Sequence, residues 1–545
     1  MFILCYLLIT SISFWYLLVL NKHFRKIKVI TNEPTKTVKF YEQAPGPLPW
    51  PILGNLNLLA SQKASAELFT DLSKKFGNIY SLTLGPTKCI VVNNLELIKE
   101  VLNQNGKFFG GRPNFMRYHK LFGGDRNNSL ALCDWSILQK RRRNLARRHC
   151  SPRDTSPYYI KMSNIGCSEV NILIKKLSES NNDNKHIPIK SFVQRACANM
   201  FFQYMCSMRF EYNDPEFCEV VEYFDEIFWE INQGYAVDFL PWLAPFYKNH
   251  MNKLMHWSST IRSFILKRII NKREELNYQQ EDDFTDALLN SLTEDKNVLS
   301  DTIMFMLEDF IGGHSAVGNL VMLTLIYLIK HPNVAKKIQF ETDSVSCNGQ
   351  RTISFNDIEN MPYTMATILE VLRCSSSPIV PHVATEDTAI CGYGVAKDTI
   401  VFINNHNLNH NKLYWKKPNS FQPERFLEHS NAKNEVQPTS NEIRNCENSL
   451  TEEASSNING LITKKKSQFL QIRKNMPYFL PFSIGKRTCI GQNLVRGFGF
   501  ILVANLLRHF DIHYENVNNI EINMGCIALP AKPIPIVLVK RNKSI

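Results

Sequence analysis

The chain has 545 residues, 44% of them hydrophobic and 21% charged, a composition far from that of disordered segments and sufficient for a large core. A formal net charge of +13 and a pI of about 9.0 favour acidic partners or an anionic surface. Fourteen cysteines with no Cys-x-x-Cys spacing exclude a disulfide scaffold, and no structural disulfide is expected.

Phe2 to Leu20 is an apolar run without a charge. At about 1.5 Å per helical residue it covers roughly 30 Å, enough to cross the hydrocarbon layer of a bilayer. Lys22, Arg25, Lys26 and Lys28 follow it and no Lys or Arg precedes it, which places the rest of the chain on the cytosolic side. A cleaved signal peptide would want a basic start and a small-residue cleavage site, and neither is evident. Residues 1–21 are therefore expected to be a single retained anchor. The segment 22–51 is basic and then proline-rich, and Ala44-Pro45-Gly46-Pro47-Leu48-Pro49-Trp50-Pro51 cannot be helical. It is expected to be a stiff linker, with 52–545 forming the folded domain.

A helix is expected to begin near Trp135 and to carry Lys140-Arg141-Arg142-Arg143 and Arg147-Arg148. Nucleic acid is one reading of such a patch, but interleaved aromatics and a recognisable nucleic-acid motif are missing, so no nucleic-acid partner is expected. Ser300 to Lys330 is mostly apolar and is closed by His331-Pro332, the pattern of one long buried helix. Gly312 and Gly313 lie inside it, each costing about 1 kcal/mol relative to alanine, so either a close neighbour or a kink at a helix crossing must account for them. Glu370 and Arg373 stand one helical turn apart, and Phe421-Gln422-Pro423-Glu424-Arg425-Phe426 follows downstream. Residues 428–475 are rich in Asn, Ser, Glu and Lys without an apolar pattern, and are expected to be a disordered surface insertion.

The most specific stretch is Phe482-Ser483-Ile484-Gly485-Lys486-Arg487-Thr488-Cys489-Ile490-Gly491. Its glycines suit a tight turn that brings one sulfur close to a flat ring, and the helical run from Asn493 would offer free N–H groups that favour thiolate over thiol. A buried structural cysteine between turn glycines would explain a lone Cys-x-Gly, but here Phe, Gly, Arg, Cys and Gly all fall in register. The stretch resembles the cysteine-ligand signature of the cytochrome P450 family, Phe-x-x-Gly-x-Arg-x-Cys-x-Gly, and the other motifs extend the resemblance over essentially the whole chain.

That resemblance implies a mainly α fold with small β-sheets, a triangular prism holding haem b between a long distal helix and a proximal cysteine loop. Cys489 takes the place of the axial iron ligand, with Phe482 and Gly485 shaping its loop and Arg487 facing a haem propionate. Further propionate candidates are Trp135, Lys140 and His382, since Gln139 stands where the family's Trp-x-x-x-Arg has its arginine. For His382 a satisfied loop histidine is the alternative. Glu370, Arg373 and Arg425 take the places of a structural ion network behind the haem.

On the distal helix the chain departs from the family, whose Ala/Gly-Gly-x-Asp/Glu-Thr supplies an acid and an alcohol for proton delivery during oxygen activation. Here the residues are Gly312-Gly313-His314-Ser315-Ala316, with the hydroxyl displaced by one residue, a rotation of about 100° on a helix. Protons would then come through water, a substrate hydroxyl or His314, or the chemistry would need no such relay. The implied partners are an NADPH–cytochrome P450 reductase, membrane lipid and a sterol-like small molecule, and the implied location is the endoplasmic reticulum membrane. Glu308 to Asn319, Ser375 to His382 and the long insertion are similar to the insect Spook-type members, associated with early oxidative steps from 7-dehydrocholesterol in ecdysteroid (moulting hormone) biosynthesis. Phe310, the segment 239–246 with Trp242, and Ile527–Leu529 are apolar stretches that would suit a flat substrate, or equally the core. Two other functions stay open: a P450-fold isomerase or dehydratase working without O2, and a haem sensor or sterol carrier without turnover.

Overall fold

The computed structural model describes residues 26–30, 38–60, 65–180, 188–275, 282–294, 300–376, 379–429, 470–514, 526–530 and 536–541, with Thr10, Ser13 and Phe14. Apart from those last three residues, the expected anchor lies outside the described residues, as does 430–469 of the expected insertion. Helices carry most of the described chain, and the largest sheet has four strands.

The helices that build the site are α1 (Ile137–Cys150), α2 (Ile189–Cys206), α3 (Pro215–Ile231), α4 (Ser300–Ile311), α5 (Gly313–Lys330), α6 (Pro362–Ser375) and α7 (Gln492–His509). Local chemistry sets several starts. Ser136 caps α1 by accepting from Gln139 N at 3.1 Å, and Asp214 caps α3 ahead of Pro215, whose missing N–H costs nothing at a first turn. The first turn of α6 is closed from outside, because the Glu341 carboxylate accepts from Tyr363 N at 2.7 Å and Thr364 N at 2.8 Å.

The stretch read as one long helix is two, joined at Gly312, where Ser315 N turns to Gly312 O at 3.2 Å. This i to i−3 bond tightens the turn and marks a local break. By length and composition Asp301–Lys330 would suit a membrane span, yet 83% of its most apolar 18-residue window is buried inside the protein, packed by α2, α6 and α7. It is the central core element.

Strands β1 (Ile27–Ile30) and β2 (Val38–Tyr41) pair antiparallel, and both lie within the segment expected to be a linker. The proline-rich stretch beyond them is docked as well: Ser81 N donates to Pro45 O at 2.7 Å, and Ala44 is buried. Chain without backbone donors can still present its carbonyls to a neighbouring strand, so a spacer in composition becomes an edge of the fold. The main sheet runs β3 (Ile79–Leu84), β4 (Thr87–Val92), β6 (Ile400–Ile403), β5 (His382–Val383), with β4 and β6 parallel and the other pairs antiparallel. The expected insertion begins and ends in ordered structure, since β7 (Leu427–His429) and β8 (Leu470–Ile472) form an antiparallel ladder. All described cysteines are free.

Candidate active site

The loop ahead of α7 is shaped by its own backbone. Cys489 N donates to Phe482 O at 2.9 Å, and Thr488 Oγ1 reaches the Phe482 and Ser483 carbonyls at 3.3 Å each. Gly485 has φ of 75°, and a Cβ there would lie 2.1 Å from Leu102 O, so both conformation and space require glycine. A Gly485→Ala variant should shift the loop, cost on the order of 1–3 kcal/mol in backbone strain alone, and lower the haem-to-protein ratio on purification. An unchanged ratio would show that Gly485 is dispensable.

Cys489 keeps accessible surface between the buried residues Arg487 and Ile490. Surrounding protein nonetheless pushes its thiol up by desolvation, against the downward pull of Gly491 N–H and the Arg143 charge. The Gly491 N–H at the helix start thus favours the thiolate, as the sequence suggests, while desolvation acts the other way. A bound cation would have to stabilise the thiolate.

Behind the loop, Glu370, Arg373 and Arg425 meet. Arg373 Nε lies 2.7 Å from Glu370 Oε2 and Arg425 Nε lies 3.0 Å from Glu370 Oε1. Gln422 N donates to the same carboxylate at 2.8 Å, and Arg373 Nη1 donates to Asn409 O at 2.7 Å. Both guanidinium groups lie over the Trp415 ring, at 5.2 and 5.7 Å, and Trp415 packs on Tyr478 and Phe479 just before the cysteine loop. The ion network thus braces Cys489 through one aromatic layer.

Above the sulfur lies a cationic cradle. Arg487 is buried and lies 5.6 Å from the Trp135 ring, while its Nη2 donates to Gly110 O at 2.6 Å and to Cys133 O. Its Nε and Nη1 are buried without a partner, as is His382 Nε2, whose ring Nδ1 is held by Phe109 O at 2.7 Å. Burial, with Arg112 and Arg487 nearby, holds His382 well below the usual imidazole range and therefore neutral. Arg112 is pushed down to about 9 by burial and by the Arg487 charge, and Arg143 to about 10 for the same two reasons. Mutually repelling buried guanidiniums with idle donors are a receptor for anions. Two carboxylates of a flat ring above Cys489 fit them.

Lys140, expected in this cradle, is exposed on α1. Its place is taken by Arg143, one turn on, which is buried and donates to Thr488 O in the cysteine loop. Arg112 also escaped the sequence reading, and its signal was the run Gly110-Gly111-Arg112-Pro113. The glycines admit Trp135 and Val383: a Cβ on Gly110 would lie 2.6 Å from Trp135 Cβ, and one on Gly111 would lie 2.9 Å from Val383 O. Gln139, at the family's arginine position, is buried and donates instead to Leu130 O at 2.6 Å.

On the distal helices Asp309, Gly312, Gly313 and Ala316 keep partial accessibility at spacing i, i+3, i+4, i+7, a single stripe. Phe310, also partly accessible, packs edge-on against Phe284 at 5.1 Å. His314 and Ser315 are fully buried off the stripe. The His314 ring sits against Phe224 and Phe201, its Nδ1 tied to Ile311 O at 2.6 Å, and burial pushes it down to about 4. It is neutral and packs among aromatics of α2 and α3. Asp309 anchors the turn that leads to Cys133: it accepts from Ser129 Oγ at 3.1 Å and from Leu130 N. Of the expected pocket stretches, Trp242 is 59% exposed on the surface, whereas Ile527 to Leu529 are buried beside α5.

An accessible cysteine sulfur in a loop whose Arg487 keeps buried, unpartnered donors is the arrangement of a haem-thiolate protein. The chain belongs to the cytochrome P450 family, whose model, Cytochrome P450, matches residues 44–538. It is 57% identical over 508 residues to cytochrome P450 307a1 of Drosophila melanogaster, covering 92% of this chain and 90% of that protein. It is 29% identical over 486 residues to steroid 17-alpha-hydroxylase/17,20 lyase of Ictalurus punctatus, covering 86% of this chain and 85% of that protein. A zebra fish cytochrome P450 structure with progesterone superposes at a TM-score of 0.69 and 24% identity, over 88% of this chain and 100% of that one, a likeness of fold. The architecture is the cytochrome P450 fold, the cofactor is haem b, and the protein is a monooxygenase oxidoreductase.

Proposed function

We propose that this enzyme oxidises a sterol in an early step of ecdysteroid biosynthesis, with 7-dehydrocholesterol as the first candidate substrate. The observation that carries the reading is the 57% identity to cytochrome P450 307a1 over 92% of the chain, alongside the Spook-type wording of Glu308 to Asn319. A steroid hydroxylase among the relatives points to the same substrate class.

Haem, when bound, would supply the reductive activation of O2. The residues have narrower tasks. Cys489 would hold the iron, while Arg112, Arg143, Arg487, Trp135 and His382 would hold the propionates. Gly312 and Gly313 admit the Phe224 and Phe201 rings, each 3.2 Å from where a Cβ would stand, and His314, being neutral, is not itself the acid.

Electrons would come from an NADPH–cytochrome P450 reductase docking on the exposed face of α1, where Lys140, Arg141, Arg147 and Arg148 are exposed and Arg143 is turned inward. The membrane side is suggested by Trp50, Ile52, Trp242 and Phe246, which are between 59% and 82% exposed. The first three of these line a groove of about 440 Å³ with Leu240, so they share one face. Anchoring in the endoplasmic reticulum membrane belongs to this proposal.

The test is incubation of the full chain with reductase, NADPH and 7-dehydrocholesterol, with products read by mass. NADPH-dependent conversion is expected, and its absence would sink the sterol assignment. The pair Ser315-Ala316 favours one other reading, an isomerase or dehydratase of an oxidised lipid, and conversion without NADPH would establish it.

A further inference from the structure

The distal acid and alcohol are missing from α5, but a carboxylate reaches that helix from elsewhere. Asp225, on α3, accepts from Asn319 Nδ2 of α5 at 2.8 Å and from Gln194 Nε2 of α2 at 2.8 Å. Its other oxygen lies 2.6 Å from Lys190 Nζ. Asn319 Nδ2 also donates to Ser315 O at 2.8 Å, so the network ends on the residue that stands at the acid position. Asn319 Oδ1 accepts from Leu529 N at 3.0 Å, and Lys190 Nζ donates to Leu529 O and Pro530 O at 3.1 Å.

Three polar atoms beside this network are buried without partners: Gln194 Oε1, Ser315 Oγ and His314 Nε2. Their residues are at most 3% exposed. Leaving such atoms unpaired is costly, and the usual remedy is ordered water. Residues 314, 315 and 318 fall within about one turn of α5, and Gly318 is open to Gln194: a Cβ there would sit 2.2 Å from Gln194 Oε1. Glycine at 318 has a reason if that oxygen must reach the helix. Asp309, the other distal acid, is tied through both oxygens to the Ser129–Leu130 turn, as Asp225 is to Lys190, Asn319 and Gln194; what sets Asp225 apart is the group of unpartnered atoms beside it.

We propose that Asp225 replaces the missing distal acid as a positioning residue, passing protons through water held by Gln194 and His314 to the Ser315 hydroxyl at the flank of the broken helix. The proposal rests on the monooxygenase reading, in which each O2 that yields one inserted oxygen and one water consumes two electrons from NADPH and two protons. Without timely protons, O2 leaves as peroxide after the same two electrons. Lys190 and Asp225, 6% and 8% exposed, are the end of the network nearest solvent.

The test compares wild type, Asp225→Asn and Ser315→Ala as holoenzymes with reductase and NADPH. Both variants should keep the reduced, CO-bound spectrum and sterol binding, lose at least about tenfold in product formed per peroxide, and show a larger solvent isotope effect. A high-resolution crystal structure should place water between Gln194 Oε1, Ser315 Oγ and His314 Nε2. Unchanged coupling in both variants, or a dry cluster, would overturn the relay. Should Asp225→Asn fail to fold around its unpaired Lys190, Ser315→Ala decides alone, because that hydroxyl has no protein partner to lose. If the wild type converts no sterol, the substrate proposal has failed, and the ratio of water to peroxide formed from O2 without substrate still reads the relay.

Discussion

Replacing Cys489 with alanine should leave a folded protein that has lost the thiolate-ligated band of its reduced, CO-bound spectrum and oxidises substrate at background level. Folding should survive because the loop is held by backbone bonds, Cys489 N to Phe482 O among them, and by Thr488 Oγ1, none of which needs the sulfur. Chemistry should not survive, since no other described cysteine shares its setting. Cys133 and Cys150 are buried, and desolvation raises the thiol of each. Haem should still bind in part, because the arginine cradle would retain affinity for the propionates, so the band position is decisive. A variant that kept the thiolate band would remove Cys489 from the site.

Replacing Glu370 with alanine should cost about 3–5 kcal/mol, a large share of a typical folding free energy of about 5–15 kcal/mol. The reason is what remains: Arg373, fully buried, would keep its charge and lose both side-chain acceptor bonds to Glu370. Gln422 N would lose its acceptor as well. The damage should travel through Trp415 and its contacts with Tyr478 and Phe479 to the cysteine loop, so haem should be released at lower denaturant than in wild type. Arg425→Ala should be milder, because the Arg425 side chain is 9% exposed against 0% for Arg373 and its carbonyl partners can turn to water. Denaturation midpoints of the three proteins test this order, and an Arg425 variant as unstable as the Glu370 variant would contradict it.

The difference between these residues and the ones missed by sequence reading is one of range. Glu370 and Arg373 face each other because three residues make about one helical turn, a property of the local chain. The turn at Gly485 and the bond from Cys489 N to Phe482 O are equally local, so the proximal loop was legible as a motif. Arg143 and Lys140 are three apart on one helix within one basic run, and nothing in their spacing says which meets the protein and which meets water. That depends on the cysteine loop, almost 350 residues later in sequence, arriving over Arg143. Arg112 is the same case, bonded to Val380 O and Pro381 O.

The proline-rich stretch at 44–51 and the break at Gly312 make the same point. Composition correctly denies the first a helix, but whether it dangles or docks is decided by the β3 strand that Pro45 meets. Two glycines signal a disturbance in the second without saying which residues beside them turn inward.

By itself the sequence determined the haem-thiolate class, the cysteine that carries it and the departure at Ser315 and Ala316, because each is a short pattern whose meaning survives without its surroundings. Tertiary structure alone decided which cations form the propionate cradle, that His314 is a buried neutral ring, and that Asp225 is carried to the distal helix from α3. Burial and the pairing of charges are properties of segments brought together from far apart in the chain, and only the packed fold supplies them.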